Sequence, residues 1–457
     1  MTTPQKNDVV TLDIEDLAYG GMGVGRIGTF VVFVDKALPS ERVRARVVKK
    51  KSNHAQAVLE SIERASPHRI EQPPCPHYGI CGGCTLEHLT YDQQLAWKQK
   101  QVGDTIRHIG GLEGVEIRPI LRSPKIWRYR NKMEFSFGAD RDGQPILGFH
   151  VPRRFDRIFE VRQCCLQPQA FDQMLAVLTE YARTHGLRAY DKKSHAGFLR
   201  HAVMRHSHTT GECILALVTT RGDLPEPEGL ARMLSERVDG FKGMIQAIHQ
   251  GVADVARLNE VHWRWGEPEL METVNGLSFR ISPASFFQTN TLGAEVLYQQ
   301  AIELAELSET NVVLDAYCGT GSIGLQCAGH VRHVVGVESV LDAVWNAREN
   351  AARNGVRNTT FVAAPLKEGL RLGLQGAGGH FDRVVIDPPR GGMDKKSLAG
   401  LIGLEAPVFI YVSCNPATLS RDLQALCGAR YEIKAVQPVD MFPHTYHIET
   451  VLKLRLG

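Results

Sequence analysis

The pattern of hydrophobic and polar positions divides the chain into three regions. Residues 8–63 form short alternating runs around the glycine-rich segment YGGMGVGRIG, without a long helical period. Such runs predict short strands, which a small barrel accommodates. Residues 271–457 instead alternate β-branched apolar runs (NVVLDAY, HVVGVE, DRVVID and VFIYVSC) with helical stretches. This second pattern predicts an α/β domain built on a doubly wound parallel sheet.

The region between the two, residues 64–270, has a mixed pattern. It opens with the cysteine-rich segment QPPCPHYGICGGCTLEHL, continues with a predicted helix over residues 91–109, and then returns to strand-like segments. Together with a length of 457 residues, these patterns predict three domains, over 1–63, 64–270 and 271–457, with the middle one of α+β type. The helix over 91–109 can pack on the third domain as well as on the second.

Two basic segments suggest contact with nucleic acid. Residues 41–47 alternate strictly, which places Arg42, Arg44 and Arg46 on one face of a predicted strand, and lysines follow at 49–51. We favour a nucleic-acid-binding face over a solvated strand edge with protective charges. The second segment, residues 118–132, interleaves cations with Trp127 and Tyr129. It fits base stacking and phosphate contact as well as it fits a strand packed on one face.

Net charge says little about the partner, because 53 Lys and Arg nearly balance 50 Asp and Glu and leave a formal net charge of +3. Composition says more about the cellular compartment. No apolar run is long enough to span a membrane, and the first residues, MTTPQKNDVV, lack the features of a secretory signal. We therefore expect a cytoplasmic protein, without a membrane partner, whose ten cysteines stay reduced. Reduced cysteines are more often metal ligands, catalysts or buried apolar residues than disulfide partners.

A glycine-rich loop predicts a cofactor site. Residues 315–324, DAYCGTGSIG, follow a predicted strand and open a predicted helix. Gly319, Gly321 and Gly324 spell G-x-G-x-x-G, and Glu338 ends the next predicted strand, where a carboxylate can accept hydrogen bonds from ribose hydroxyls. The motif alone also fits NAD. Asp315, ahead of the glycines, and the later segment FDRVVIDPPR resemble methyltransferase motifs, so we favour S-adenosylmethionine (SAM) over NAD.

The next predicted strand, VFIYVSCNP, brings Cys414 to the same edge of the sheet, and the dipeptide Asn-Pro ends the strand directly after it. A cysteine at a strand tip is often only a small packing residue, but a thiolate of lowered pKa is a nucleophile. The segment MFPHTYHIET offers Glu449 as a carboxylate base, with His444 and His447 close in sequence. Cys414 is predicted to lie beside the cofactor, whereas Glu449 on its own would be an ordinary exposed acid, and its role as a base depends on a family resemblance.

A nucleophile and a base together fit the methylation of uracil at carbon 5. That carbon attacks a sulfonium methyl group only after a thiolate has added to carbon 6 and formed an enolate. After methyl transfer, a base removes the carbon 5 proton so that the thiolate can leave. Cys414 and Glu449 are candidates for these two roles.

Motifs along nearly the whole chain carry a resemblance to a known family. They are WRYRNKMEFSFG, GFLRHAVMRHS, ISPASFFQTN, DAYCGTGSIG, IDPPRGG, YVSCNPATLSRD and MFPHTYHIE, preceded by a barrel that is similar to a TRAM domain. Together they resemble the RNA uracil-5-methyltransferase family of the RumA/TrmA type. The resemblance implies an enzyme with a Rossmann-like class I SAM-dependent methyltransferase domain that forms 5-methyluridine, with Cys414 as nucleophile and Glu449 as base. It also implies contacts to SAM, to which we assign Gln288, Tyr317, Ser322 (asparagine in some members), Glu338 and Asp387, the last of which can also face the uracil edge.

The cysteines fit a metal site. Cys75, Cys81 and Cys84 have the spacing C-x5-C-x2-C, which by itself favours zinc and an iron–sulfur cluster equally. The resemblance implies a [4Fe–4S] cluster with a distant fourth ligand, which we assign to Cys164, although the adjacent Cys165 leaves the register open by one. The remaining cysteines are interpreted as packing residues: Cys213, Cys318, Cys327 and Cys427.

Three other functions compete with this hypothesis. An exocyclic-amine methyltransferase would use the Asp-Pro-Pro turn without a cysteine, and an NAD-dependent oxidoreductase would use the glycine loop. A non-catalytic RNA-binding module would leave the candidate catalytic side chains without a use. The predicted partner is RNA, with large-subunit (23S) ribosomal RNA favoured over transfer RNA because a barrel and a cluster motif occur together. We expect the protein to be a monomer.

Overall fold

Alternating apolar and charged residues at the start of the chain form a closed five-stranded barrel in the computed structural model, which describes residues 3–258 and 260–457. Residues 1, 2 and 259, which the predicted domains 1–63 and 64–270 include, lie outside this description. The barrel core contains Val32, Val34, Val43 and Ala45, all without solvent exposure. In the order β1-β2-β3-β5-β4, the strands are β1 (Val9–Leu17), β2 (Gly23–Ile27), β3 (Phe30–Asp35), β4 (Arg42–Lys50) and β5 (His54–Arg64).

A long helix, α1 (Tyr91–His108), follows the cysteine-rich segment. Val102 and Ile106 on its buried face belong to the hydrophobic core of the third region, as one of the two predicted alternatives proposed. The same helix contacts the barrel, because Gln101 Nε2 donates to the carbonyl oxygen of Leu17 at 3.1 Å. α1 therefore joins the barrel to the third region.

The middle region contains a seven-stranded sheet of mixed direction, in the order β12-β11-β10-β9-β6-β7-β8. Two helices, α2 (Gln169–Thr184) and α3 (Pro227–Arg237), share a core with this sheet that includes Phe135, Phe171 and Leu217. The fold is α+β, as predicted. The strands are β6 (Lys132–Ala139), β7 (Pro145–Val151), β8 (Arg154–Glu160), β9 (Leu199–His206), β10 (Cys213–Thr219), β11 (Phe241–Ile248) and β12 (Glu260–Gly266).

The third region begins with a two-stranded hairpin of β13 (Leu270–Val274) and β14 (Leu277–Ile281) and continues as a seven-stranded sheet with helices on both faces. The helices are α4 (Thr291–Ala305), α5 (Ser322–Ala328), α6 (Leu341–Arg353), α7 (Leu366–Gly376), α8 (Lys395–Ile402) and α9 (Pro416–Gly428). The strands are β15 (Val312–Ala316), β16 (His333–Glu338), β17 (Thr359–Ala363), β18 (Arg383–Ile386), β19 (Val408–Ser413), β20 (Tyr431–Val439) and β21 (Glu449–Leu456).

The strand order of this sheet is β17-β16-β15-β18-β19-β21-β20. The first five strands are parallel, as the apolar runs predict. The parallel prediction is wrong at one edge, because β21 runs antiparallel to both β19 and β20. β20 and β21 form a hairpin, and the hairpin inserts its second strand beside β19. Among the described residues, no helix is long and apolar enough to cross a membrane.

Candidate active site

The carboxyl ends of three neighbouring strands bring the predicted catalytic residues together. Asp387 follows β18 directly, and Cys414 follows the adjacent strand β19. Because β21 is antiparallel to β19, it begins at the edge where β19 ends: Ser413 pairs with Thr450, so Cys414 comes next to Glu449. These three residues therefore lie close together at one edge of the sheet, where they define the candidate catalytic pocket.

The pocket concentrates acidic groups that are shielded from water. Glu449 is 4% exposed. Its pKa is raised well above the usual range, first by burial and then by the nearby Asp387. Burial also raises the pKa of Asp387 to about 7. A carboxyl group with a raised pKa is a stronger base once it is ionised, which suits Glu449 to proton abstraction.

The hypothesis of a lowered thiol pKa is wrong for the protein without substrate. The pKa of Cys414 is raised to about 11, first by burial and then by the charges of Glu449 and Asp387. Arg390, in the loop after β18, lowers it. The histidines near Glu449 add no positive charge, since burial lowers the pKa of both His444 and His447 to about 4.

The predicted glycine loop lies between β15 and α5, at the same sheet edge. Asp315, 1% exposed, accepts a hydrogen bond from the backbone N–H of Gly324 at 2.8 Å and so fixes the start of the helix. A Cβ atom at Gly324 would lie 2.7 Å from Oδ2 of Asp315, so only glycine fits there. Gly321, with φ of 82°, has a left-handed conformation that favours glycine.

The remaining SAM-binding candidates surround this loop. The Glu338 carboxylate, at the end of β16, accepts from the backbone N–H of Gly319 at 3.3 Å and of Val340 at 2.9 Å. Tyr317 follows β15 and has a positive φ of 63°. Ser322 opens α5, with its hydroxyl oxygen 3.3 Å from that of Thr320.

Gln288 lies in the loop between β14 and α4, and the middle sheet holds this loop in place. Nδ2 of Asn131 donates to the Gln288 carbonyl oxygen at 2.9 Å, and Nε of the buried Arg205 donates to that of Pro283 at 3.0 Å. The sequence analysis did not predict this anchoring role for either residue, because their partners lie far away along the chain.

The loop 440–448, which leads into Glu449, is anchored by a buried ion pair. Nζ of Lys98, on α1, lies 2.6 Å from Oδ1 of Asp440, and both side chains are at most 1% exposed. Burial lowers the pKa of Lys98, whereas Asp440 raises it. The sequence analysis missed this pair, because the two residues are far apart along the chain.

The basic and aromatic segment 118–132 contributes to the same anchoring. The Trp127 ring stacks on the His444 ring, with centroids 3.6 Å apart. The buried Tyr129 donates its hydroxyl hydrogen to the Pro443 carbonyl oxygen at 3.0 Å. Both aromatic residues are therefore packed against the loop 440–448, but the predicted strand is wrong for most of this segment, because β6 begins only at Lys132.

The cysteines predicted to bind a cluster gather at one cavity of about 380 Å³, which Cys75, Cys81, Cys84 and Cys164 all line. Cys165, which the structure also describes, does not line this cavity. Burial raises the pKa of Cys164 to about 12 and raises that of Cys84 further. Within the described chain, no group of three or more His, Cys, Asp or Glu side chains has the arrangement that holds a metal ion.

The arginine row of β4 points outward, as predicted, but two of its members are engaged in ion pairs. Arg42 lies 2.8 Å from Asp13 and 3.3 Å from Glu63 on neighbouring strands, and Arg46 pairs with Glu60. This face is therefore less positive than its sequence suggests. The local pattern of β4 does not predict these ion pairs, because the acidic partners lie on β1 and β5, which are distant along the chain.

Comparisons with known proteins identify this architecture as that of a SAM-dependent RNA methyltransferase. The tRNA (uracil-5-)-methyltransferase family profile matches residues 268–456, and the TRAM domain profile matches residues 5–59. An RNA methyltransferase of Halalkalibacterium halodurans is 40% identical over 99% of this chain and 98% of its own length. One from Listeria monocytogenes is 40% identical over 99% of both chains.

A solved structure is similar over the same length. The tRNA (uracil-54, C5)-methyltransferase of Pyrococcus abyssi, in complex with S-adenosyl-L-homocysteine, is 29% identical, with a TM-score of 0.78. The match covers 97% of this chain and 100% of that one. The chain therefore belongs to the RNA uracil-5-methyltransferase family and carries an N-terminal TRAM domain, as the motifs predicted.

Proposed function

We propose that the protein methylates carbon 5 of a specific uridine in RNA through a covalent adduct between Cys414 and carbon 6 of the uracil. The observation that carries this proposal is the position of Cys414 beside Glu449 and Asp387 at the ends of β18, β19 and β21. A nucleophile and a sheltered base in one pocket are the two groups that the reaction needs.

The roles of the two groups follow from the electron balance. The Cys414 thiolate forms a bond to carbon 6, and the π electrons of the carbon 5–carbon 6 bond move into an enolate. Bound SAM would supply the methyl group: carbon 5 would attack the methyl carbon, the bond from that carbon to the sulfonium would break, and S-adenosylhomocysteine would leave. Glu449 then takes the proton from carbon 5, the double bond forms again, and the sulfur–carbon bond breaks to release the thiolate.

The acidic groups of the pocket also determine the order in which Cys414 and Glu449 ionise. Thiolate and carboxylate charges disfavour one another in a dry pocket, so the attack by Cys414 is favoured while Glu449 and Asp387 are neutral. When sulfur is bonded to carbon 6, the negative charge lies on the uracil enolate, and transfer of the methyl group to carbon 5 neutralises it, so Glu449 then ionises more readily. The base thus becomes available after the nucleophile has reacted.

Asp387, with a pKa near neutrality, is suited to the uracil edge. In its protonated form the carboxyl group donates a hydrogen bond to a uracil carbonyl oxygen, on which negative charge develops during attack. We assign contacts to SAM to the side of the pocket formed by the glycine loop and the loop before α4. The residues assigned to SAM are Gln288, Tyr317, Ser322, Glu338 and Asp387.

We also propose that Cys75, Cys81, Cys84 and Cys164 hold a [4Fe–4S] cluster. Their convergence on one cavity supports a shared ligand. Burial raises the pKa of Cys84 and Cys164, and a cationic centre would offset this effect by stabilising the thiolates. Cys164 is the assigned fourth ligand, because its side chain lines the cavity, whereas the adjacent Cys165 contacts Cys75 from outside the lining. Such a cluster supplies cross-links between distant segments rather than electrons, since methyl transfer requires no electron acceptor.

Large-subunit ribosomal RNA is the proposed substrate, because the barrel and the thiol quartet occur together in this chain. Transfer RNA is a second candidate, since the Pyrococcus abyssi structure named for a tRNA substrate matches the chain along nearly its whole length. We place the reaction in the cytoplasm, where the four thiols stay reduced.

Mass spectrometry of nucleosides from cells with and without the gene tests the proposal. Loss of 5-methyluridine from ribosomal RNA supports both the reaction and the substrate, whereas loss from transfer RNA supports the reaction alone. An unchanged 5-methyluridine content together with loss of another methylated base would reject the Cys414 mechanism in favour of exocyclic-amine methylation.

A further inference from the structure

The barrel contributes an aromatic side chain near the candidate active site. Tyr19 lies in the turn between β1 and β2, and it is 43% exposed. Its ring meets the ring of Tyr446 edge-on, with centroids 5.2 Å apart and planes at 82°. Tyr446 belongs to the loop 440–448, so a residue of the barrel and a residue of the catalytic region form one aromatic pair.

Several contacts fix the position of this turn. Gly20 and Gly21 adopt φ values of 103° and 88°, which side chains rarely adopt. The backbone of Gly21 approaches the cysteine-rich segment so closely that a Cβ atom would lie 3.2 Å from Thr85. Nζ of Lys100, on α1, lies 2.8 Å from Asp16, next to the end of β1. The placement of Tyr19 is therefore part of the architecture.

The electrostatic surroundings of Tyr19 agree with a position at the mouth of the pocket. Burial and Tyr446 raise the pKa of its hydroxyl to about 12, and the charges of Cys414 and Glu449 raise it as well, whereas Arg390 lowers it. Cys414, Glu449 and Arg390 are among the groups that also influence one another in the catalytic pocket. The sequence analysis assigned no role to Tyr19.

We propose that Tyr19 and Tyr446 form an aromatic rim that binds an RNA base next to the target uridine. This inference rests on the proposed function, because the target uridine must leave its stack to reach Cys414 and thereby exposes the face of a neighbouring base. Aromatic side chains bind such exposed faces in single-stranded RNA. The competing interpretation is that the pair only joins the barrel to the catalytic region.

Tyr19→Ala and Tyr19→Phe distinguish the two interpretations. Val9→Ala is a matched control, since Val9 is an exposed residue, 39% accessible, at the opposite end of β1. The probes are unmodified in vitro transcripts of 23S ribosomal RNA and of transfer RNA, and the transcript that gains 5-methyluridine with the wild-type protein is used further. The measurements are the Kd for that transcript at several salt concentrations, the KM for SAM and the Tm.

We expect Tyr19→Ala to raise the Kd by about ten-fold, within the range of base stacking on an aromatic ring. The slope of log Kd against log salt should stay unchanged, because stacking releases no counterions from phosphates. Tyr19→Phe and Val9→Ala should bind as the wild type does, and neither the KM for SAM nor the Tm should move.

Wild-type affinity of Tyr19→Ala would overturn the aromatic rim and leave the proposed function intact. A fall in Tm or a rise in the KM for SAM that accounts for the weaker binding would also overturn it, in favour of the packing interpretation. Failure of the wild-type protein to methylate either transcript would instead count against the proposed function, and the rim would fall with it.

Discussion

At the scale of single residues, the proposed reaction assigns two different roles: Cys414 is the nucleophile and Glu449 is the base. Glu449→Gln keeps the size of the side chain but cannot remove the carbon 5 proton, so we expect turnover to fall by ~10²–10⁴. Methylated RNA should then remain bound to Cys414 and migrate with the protein on a denaturing gel. Cys414→Ala should lose methylation and form no such adduct, while it keeps its affinity for RNA. Rapid product release by Glu449→Gln would exclude Glu449 as the base.

The raised pKa of Cys414 gives the rate of adduct formation a defined pH dependence. Because the thiol is neutral below a pKa of about 11, the thiolate fraction, and with it the single-turnover rate, should rise with pH until Asp387, whose pKa is about 7, loses its proton. Arg390→Gln removes a charge that lowers this pKa, so the profile should move to higher pH, whereas Asp387→Asn should move it to lower pH.

Adduct formation at saturating RNA is the quantity to measure, with Arg390→Lys as the variant that keeps the positive charge. A rate that is independent of pH in the wild type would show that substrate binding, rather than the protein alone, sets the ionisation of Cys414.

At the scale of elements, α1 is the support for the loop 440–448. Lys98→Met leaves Asp440 buried without its partner, which typically costs about 3–5 kcal/mol. Lys100→Met, two residues further along, breaks only partly exposed pairs and should cost less than about 1 kcal/mol. Denaturant unfolding of both variants measures the difference. Equal losses would mean that the buried pair does not hold the loop.

The elements of the catalytic sheet differ in how far the sequence defines them. The parallel strands β15, β16, β18 and β19 are predicted, because each is a continuous apolar run followed by a helical pattern. The antiparallel direction of β21 is not predicted, since it depends on which strand it pairs with rather than on its own residues. The glycine loop is local in sequence and is therefore predicted in full.

The candidate site shows the same division. Cys414, Glu449 and Asp387 are identified from motifs, and the structure brings them together. The raised pKa of Cys414 is missed, because the charges that act on it come from the start of β21 and from the segment that follows β18, which are distant in sequence. Tyr19 is missed because it belongs to another domain, and Lys98 because a lysine on a helix is ordinarily solvated.

At the scale of the whole molecule, the cysteine-rich segment connects the thiol cavity to the catalytic region. The backbone N–H of Leu86, two positions after Cys84, donates to the carbonyl oxygen of His444 at 2.9 Å. If the thiols hold a cluster, its removal should loosen this contact and accelerate hydrogen exchange in the loop 440–448. The Tm should fall as well, because a ligand of the native state is lost.

Iron content and hydrogen exchange of three variants test this connection. Cys84→Ser and Cys164→Ser should lose most of the bound iron and show faster exchange in the loop. Cys165→Ser is the matched control and should resemble the wild type. Iron loss in Cys165→Ser with retention in Cys164→Ser would move the fourth ligand by one position.

The insertion of β21 between β19 and β20 has a consequence for biosynthesis. The ribosome makes Cys414 before Glu449, so a growing chain carries the proposed nucleophile before the proposed base exists. Without β21, however, β19 lacks the neighbour that shapes one side of the pocket, and the sheet edge stays open. A chain interrupted before β21 is therefore expected to be inert rather than to capture RNA irreversibly. Because β21 comes last in the chain, an incomplete chain is thus not expected to form the RNA adduct.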